Sequence, residues 1–391
     1  MTSRSTTRAL APALLFLGWL LLVGCAAGRP ATPPSATPGA TPSPPPVTIH
    51  LERVATFPGP KDSAVTSVTT GGPGFVAVGF DGTDRAMVWV SADGHEWSAV
   101  PESEVFAHAA MAGVTSSHGR LVAVGRDLTS IDHERAAAWT SRDGVAWRRV
   151  VGPDLEGAQM IDVVPGGPGF VAVGTMLDGV DASAVWTSVD GESWSLVPQQ
   201  TDFAHSFMWS VAAARPGLVA TGWYRNPEPS VAFWTSVDGR TWTRSPDVSN
   251  ANGFQGRSII DFGDTLVAAG ELVTGGAAAI WSSADGISWH QVSGPASFED
   301  ASLTAIARIP DGIIASGSQG TDAAAWISTD GETWTRLDER LALRDAYVTA
   351  MVVGGERLVA VGATQRRIAA TGSFDQVATA WFSTPFADIA P

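Results

Sequence analysis

The chain holds one cysteine (Cys25), one lysine (Lys61) and two tyrosines (Tyr224 and Tyr347) in 391 residues. With no second cysteine there can be no intramolecular disulfide, so a folded domain here must be stable through its core alone. Positive charge is scarce too: 24 Lys and Arg face 39 Asp and Glu, a formal net charge of -15. That balance lacks the basic footprint of a nucleic-acid binder and suits a solvated, outward-facing protein. Catalytic and metal motifs are missing as well. The seven histidines show no paired ligand spacing, and the nearest pair, His108 and His118, stand ten apart. No Gly-x-Ser-x-Gly elbow or phosphate loop occurs, and Asp127 to Asp132 lacks the residue order of a calcium loop. No cofactor, metal or catalytic set is expected.

What the chain has in excess is tryptophan, placed periodically. A seven-residue pattern, Ser-x-Asp-Gly-x-x-Trp, recurs six times, with its Asp-Gly pairs at Asp93, Asp143, Asp190, Asp238, Asp285 and Asp330. Eight residues before each motif Trp stands another, in an apolar run: Trp89, Trp139, Trp186, Trp234, Trp281 and Trp326. With Trp381, thirteen of the 16 Trp occupy fixed repeat positions, which reads as core. Burying each removes roughly 200 Å² from water, about 5 kcal/mol before conformational entropy is subtracted.

A repeat of 45 to 50 residues with several short apolar runs is the signature of a propeller blade. In the first repeat the runs Val65–Thr70, Phe75–Gly79, Ala86–Ser91 and Glu96–Val100 predict four strands. Gly71-Gly72-Pro73-Gly74 joins the first two, and Asp93-Gly94 makes the last hairpin because Gly accepts a positive φ without penalty. From a first-strand apolar position (Val68, Val114, Val163, Val211, Ile259, Ile306, Met351) to the Gly ending strand two is always eleven residues. Length varies between strands two and three instead, from 9 to 19 residues measured from that Gly to the third-strand Trp. In an up-and-down blade these variable loops share one face with the blade-to-blade connections, and the motif turns occupy the other. Binding is expected on the variable face, over an all-β, seven-bladed propeller of four-stranded antiparallel blades.

The last repeat has no motif after Trp381. Leu51 lies 17 residues before Val68, the spacing of every motif Trp but one, so His50–Ala55 is expected to supply the missing strand and close the ring. Phe386–Ala390 is the competing segment. Upstream, Arg4 and Arg8 precede an apolar stretch, Ala9 to Val23, too short for a comfortable transmembrane helix. It ends at Leu22-Val23-Gly24-Cys25, which resembles the lipobox of bacterial lipoproteins; that resemblance implies cleavage and lipidation at Cys25, hence an extracytoplasmic, membrane-anchored protein. Residues 26–46 carry eight Pro among Ala, Thr and Ser and read as an extended spacer, leaving 47–391 as the propeller.

The motif resembles the Asp-box, or BNR repeat, of the sialidase-like propeller superfamily, one residue shorter than the family pattern Ser-x-Asp-x-Gly-x-x-Trp. The resemblance implies a fold rather than an activity, because in that superfamily the Asp-box is a structural turn away from the active site. Members include glycosidases and noncatalytic binding and assembly proteins. Sialidases use an Arg cluster, a Tyr nucleophile and an acidic acid/base. Here Arg308-Ile309-Pro310 looks like part of the family's Arg-Ile-Pro signature but falls at the end of a first strand in blade six, toward the motif face.

Aligning the repeats gives two rows at the channel mouth. Four positions before the shared apolar residue come Ala64, Ala110, Gln159, Phe207, Gln255, Ser302 and Tyr347; two before it come Thr66, Ala112, Ile161, Trp209, Arg257, Thr304 and Thr349. Gln159, Phe207, Trp209, Gln255, Arg257 and Tyr347 have the polar and aromatic character that recognition uses, with Trp223-Tyr224-Arg225 on the rim. The opposing reading is that Phe207 and Trp209 wedge between blades and Arg257 pairs with a carboxylate. The sequence thus points to a monomeric, noncatalytic binding or assembly module for a glycan or an envelope protein, held to the membrane through its lipid alone. The alternative is a sialidase-like glycoside hydrolase.

Overall fold

A computed structural model describes residues 49–386, apart from 130–134, 178, 180, 216, 226, 339–341 and 368–373. Cys25, the apolar stretch before it and the 26–46 spacer lie outside the described residues, as does most of Phe386–Ala390.

Seven four-stranded antiparallel sheets make seven blades, and each inner strand packs between the inner strands of its two neighbours. The protein is a seven-bladed β-propeller. Blade 1 runs outward through Ala64–Gly71, Gly74–Phe80, Ala86–Ser91 and Ser98–Ala99. The inner strands of blades 2 to 7 are Ala109–Ser117, Ala158–Gly166, Ser206–Ala214, Phe254–Phe262, Ala301–Ile309 and Ala346–Gly354. In the seventh sheet Leu51–Thr56 lies outermost, with Leu51 opposite Ser383 and Thr56 opposite Thr379. Ile49 and Leu51 are buried in the core between blades 6 and 7.

The outermost strand of blade 1 is shorter than expected. Blade 1 keeps only Ser98–Ala99 of Glu96–Val100. The Glu96 N–H is taken by the Asp93 carboxylate, and the Trp97 indole N–H donates back to the Gly94 carbonyl at 3.0 Å. Both residues therefore belong to the turn. All six motif copies repeat this geometry: the Ser hydroxyl oxygen accepts the Gly N–H, and one Asp oxygen accepts two N–H groups further on. Each motif Gly also lies against the preceding blade, Gly94 on Val359, Gly144 on Val76 and Gly191 on Val122. The motif is thus a spacer between blades as well as a hairpin.

The seven third-strand Trp are fully buried. Six of them, among the described residues, send their indole N–H to the connection that leads into the inner strand of their own blade, for example Trp89 to the Pro58 carbonyl and Trp234 to the Asp202 carbonyl. Four connections contain a 3-10 turn that the sequence reading lacks. Each plugs an apolar residue (Phe106, Leu155, Phe203 or Phe298) into the gap between blades.

Candidate functional site

A bulge interrupts every inner strand at one position. In blade 4 the pairing skips from Met208 to Ser210, leaving Trp209 without a ladder partner, and the other six blades do the same at Thr66, Ala112, Ile161, Arg257, Thr304 and Thr349. A bulge turns its extra residue out of the pleat, here into a central channel of about 510 Å³. The glycine shared by the second strands, which run one to five residues beyond it, follows from the same feature. At Gly222 a Cβ would overlap the Phe207 carbonyl oxygen, and the six equivalent glycines meet the same obstruction.

The bulge row divides by chemistry. Three threonine hydroxyls are spent on structure: Thr66 donates to the Met111 carbonyl at 2.9 Å, Thr304 to Val348 at 2.6 Å and Thr349 to Val65 at 2.7 Å. Each joins its blade to the next. Ala112 and Ile161 are apolar. Trp209 and Arg257 remain, in adjacent blades.

Around them the structure gathers a continuous cluster. Phe207 stands opposite Trp223 across the first two strands of blade 4, with rings stacked 6.1 Å apart at 14°. Phe207 also meets Trp209 at 4.4 Å between ring centres. The Arg257 guanidinium lies 4.2 Å from the Trp209 ring centre, while its Nε donates to Glu271 at 2.8 Å. Gln255 accepts the Trp209 indole N–H at 3.2 Å and donates to the same Glu271 oxygen at 3.2 Å. At the far end the Arg225 guanidinium covers Trp223 at 5.2 Å.

Four of the six sequence candidates, Phe207, Trp209, Gln255 and Arg257, therefore meet. Gln159 in blade 3 stands opposite Thr175, and Tyr347 in blade 7 donates to Gln376 at 3.1 Å. Among the described residues, no hydrogen bond, ion pair or ring contact ties either to the cluster. Burial pushes the Tyr347 phenol up, so it stays a neutral donor. Tyr224 turns to the opposite side of its strand, under Arg244 at 3.9 Å.

Glu271 was missed by sequence reasoning, although it directly follows the shared Gly270. The same offset marks Trp223 after Gly222 and exposed Arg126 after Gly125, which stand opposite Phe207 and Ala110 as Glu271 stands opposite Gln255. Asp162 was missed too. With Arg257 it supplies the charge among the residues lining the channel. Its oxygens accept from the Val163 N–H at 2.8 Å, the Ser210 hydroxyl at 3.0 Å and the Val211 N–H at 3.0 Å. Burial outweighs those donors and pushes the carboxyl above the usual range. Asp162 thus ties blade 3 to blade 4.

Neither a protein-family model nor a curated protein sequence matches the chain. Among solved structures, one from a structural and mechanistic study of two prolyl endopeptidases is similar to it at 11% identity and a TM-score of 0.48. The match covers 82% of this chain and 50% of that one, so this chain spans half the length of that protein.

Proposed function

We propose that this protein is a noncatalytic recognition module, exported and anchored through a lipid on Cys25, that binds a glycan at the variable-face end of its channel. The aromatic row Trp223–Phe207–Trp209, ended by the Arg257–Glu271 pair, carries this reading. Flat aromatic faces suit the C–H faces of sugar rings. The Arg, Glu and Gln beside them supply donors and acceptors for hydroxyls. The cluster is also held rigid, because every member is fixed by a neighbour in the same or the next blade, and rigidity lowers the entropy cost of binding.

The anchor rests on the Arg-flanked apolar stretch ending at Leu22-Val23-Gly24-Cys25. Acid–base hydrolysis is the weaker reading. The carboxyl in the channel wall, Asp162, is engaged by three donors, and Glu271 is committed to Arg257 and Gln255.

A glycan array probed with the exported chain, run beside a panel of fluorogenic glycosides, tests the proposal. Glycan binding without turnover supports it. Turnover abolished by a single Asp or Glu substitution would make the protein a glycosidase. Silence in both assays would transfer the site to a protein partner.

A further inference from the structure

The motif face carries a second cluster, unrelated to the aromatic row. Between the motif turns of blades 2 and 3 lies a recess of about 270 Å³, lined by Arg120, Arg142, Arg148 and Glu192 together with turn residues 140, 141, 143 and 146. Arg120 pairs with one Glu192 oxygen, and Arg148 with the other at 2.5 Å. Asp143 is occupied within its own turn, where one oxygen accepts the Val145 and Ala146 N–H groups at 2.9 and 2.8 Å. Arg142 pairs with none of the described residues. Three guanidiniums therefore share the Glu192 carboxylate and the one Asp143 oxygen that its turn leaves over, a local excess of positive charge in a protein whose formal charge is -15.

The repeats act as internal controls for what the fold itself needs. Where blade 2 has Arg142, the other motifs carry Ala92, Val189, Val237, Ala284 and Thr329. Where it has Arg148, they carry Ser98, Ser195, Thr243, His290 and Thr335. The strand that begins with Arg120 begins elsewhere with Gly or Thr in five blades and with Arg357 in blade 7. Arg357 is spent on the Ser383 carbonyl at 2.9 Å and on the Phe382 ring. The same turn thus closes five times without these arginines.

We infer that the recess between blades 2 and 3 on the motif face is a binding site for an oxyanionic group, with Arg142 as the free ligand and Arg120 and Arg148 contributing the donor edges that Glu192 leaves open. Each guanidinium carries five N–H donors in a planar fork, and Glu192 can engage only part of them. The volume falls below the range of whole-ligand pockets, so the site takes a phosphate, a sulfate or a single carboxylate displayed on a larger molecule. Being on the opposite face from the aromatic row, it does not depend on the glycan reading.

The test is a thermal-shift and calorimetric titration of the full chain with phosphate, sulfate and succinate, ionic strength held constant with chloride so that screening is unchanged. At least one of the three should raise the melting temperature saturably. Arg142→Ala and Arg148→Ser, the latter placing the residue that blades 1 and 3 already carry there, should each weaken that anion about tenfold. Arg240→Ala, at another turn of the same face, should leave it unchanged. Saturable binding of phosphate and sulfate alone assigns a tetrahedral anion, and of succinate alone a carboxylate. A response equal in wild type and Arg142→Ala, or no response beyond that of chloride, overturns the site.

Discussion

Arg257 reaches across from blade 5 to lie over the Trp209 ring of blade 4, 4.2 Å from its centre, with Glu271 on its Nε at 2.8 Å. The contact makes the candidate site and the border between two blades one unit. Arg257→Ala should leave the largely buried Glu271 carboxylate without its cation and cost about 1–3 kcal/mol. Arg257→Ala with Glu271→Ala should cost less than the sum of the two single changes. Denaturant midpoints of the three variants check this, and strict additivity would contradict it.

The glycine shared by the second strands is expected to be the least replaceable small residue of each blade. Gly222→Ala drives a methyl group into the Phe207 carbonyl and should destabilise by about 1–3 kcal/mol. Gly152→Ala, with open space around it and an extended φ, should stay within about 0.5 kcal/mol of wild type. Equal melting temperatures for the two variants would mean that the bulge is not what excludes the side chain.

Acid should loosen the motif turns. The backbone N–H groups of Ala146 and Val145 hold the Asp143 carboxyl below the usual range, and the other five motif aspartates are lowered as well. A folded value below the unfolded one, about 3.9, stabilises the protein above that pH and is lost as pH falls through the folded value. The melting temperature should therefore drop below about pH 4, and Asp143→Asn should flatten part of the drop. Asp162 has the opposite sign, since its raised value makes its ionisation on going to higher pH a cost to the fold.

Deleting residues up to Thr56 would strip Leu51–Thr56 from the edge of Phe374–Ser383 and take buried Ile49 and Leu51 out of the core. Such a chain should melt well below the intact protein and self-associate through the bared edge. An unchanged melting temperature would show that this strand does not hold the ring.

Much of the architecture was legible because its determinants are local and repeated. Asp-Gly turns need a positive φ, found at all six motif glycines, and the period between Trp89 and Trp97 survives unchanged across the blades. The bulges were not legible. They depend on pairing between strands, and Thr66 and Trp209 occupy the same backbone position with unrelated side chains. The site was half readable for the same reason. Aligning inner strands brought up Phe207, Trp209, Gln255 and Arg257, but Glu271 belongs to the strand beside them and becomes a partner only through the register across Gly270. Left-handed His108 and His205 immediately precede inner strands, and their carbonyls accept the Leu128 and Arg225 N–H groups. The same position in the other five repeats holds Asp62, Gly157, Gly253, Asp300 and Asp345, all at positive φ, so the residue types that tolerate this backbone do mark it, a signal the repeat alignment passed over.

The most direct test of the central claim is the dissociation constant of the strongest array glycan, measured on wild type and on Trp209→Ala at a temperature where both are folded. Loss of the ring between Phe207 and Arg257 should weaken binding by about 2 kcal/mol, roughly thirtyfold. Equal affinity in the two proteins would contradict the account and move recognition away from the channel mouth.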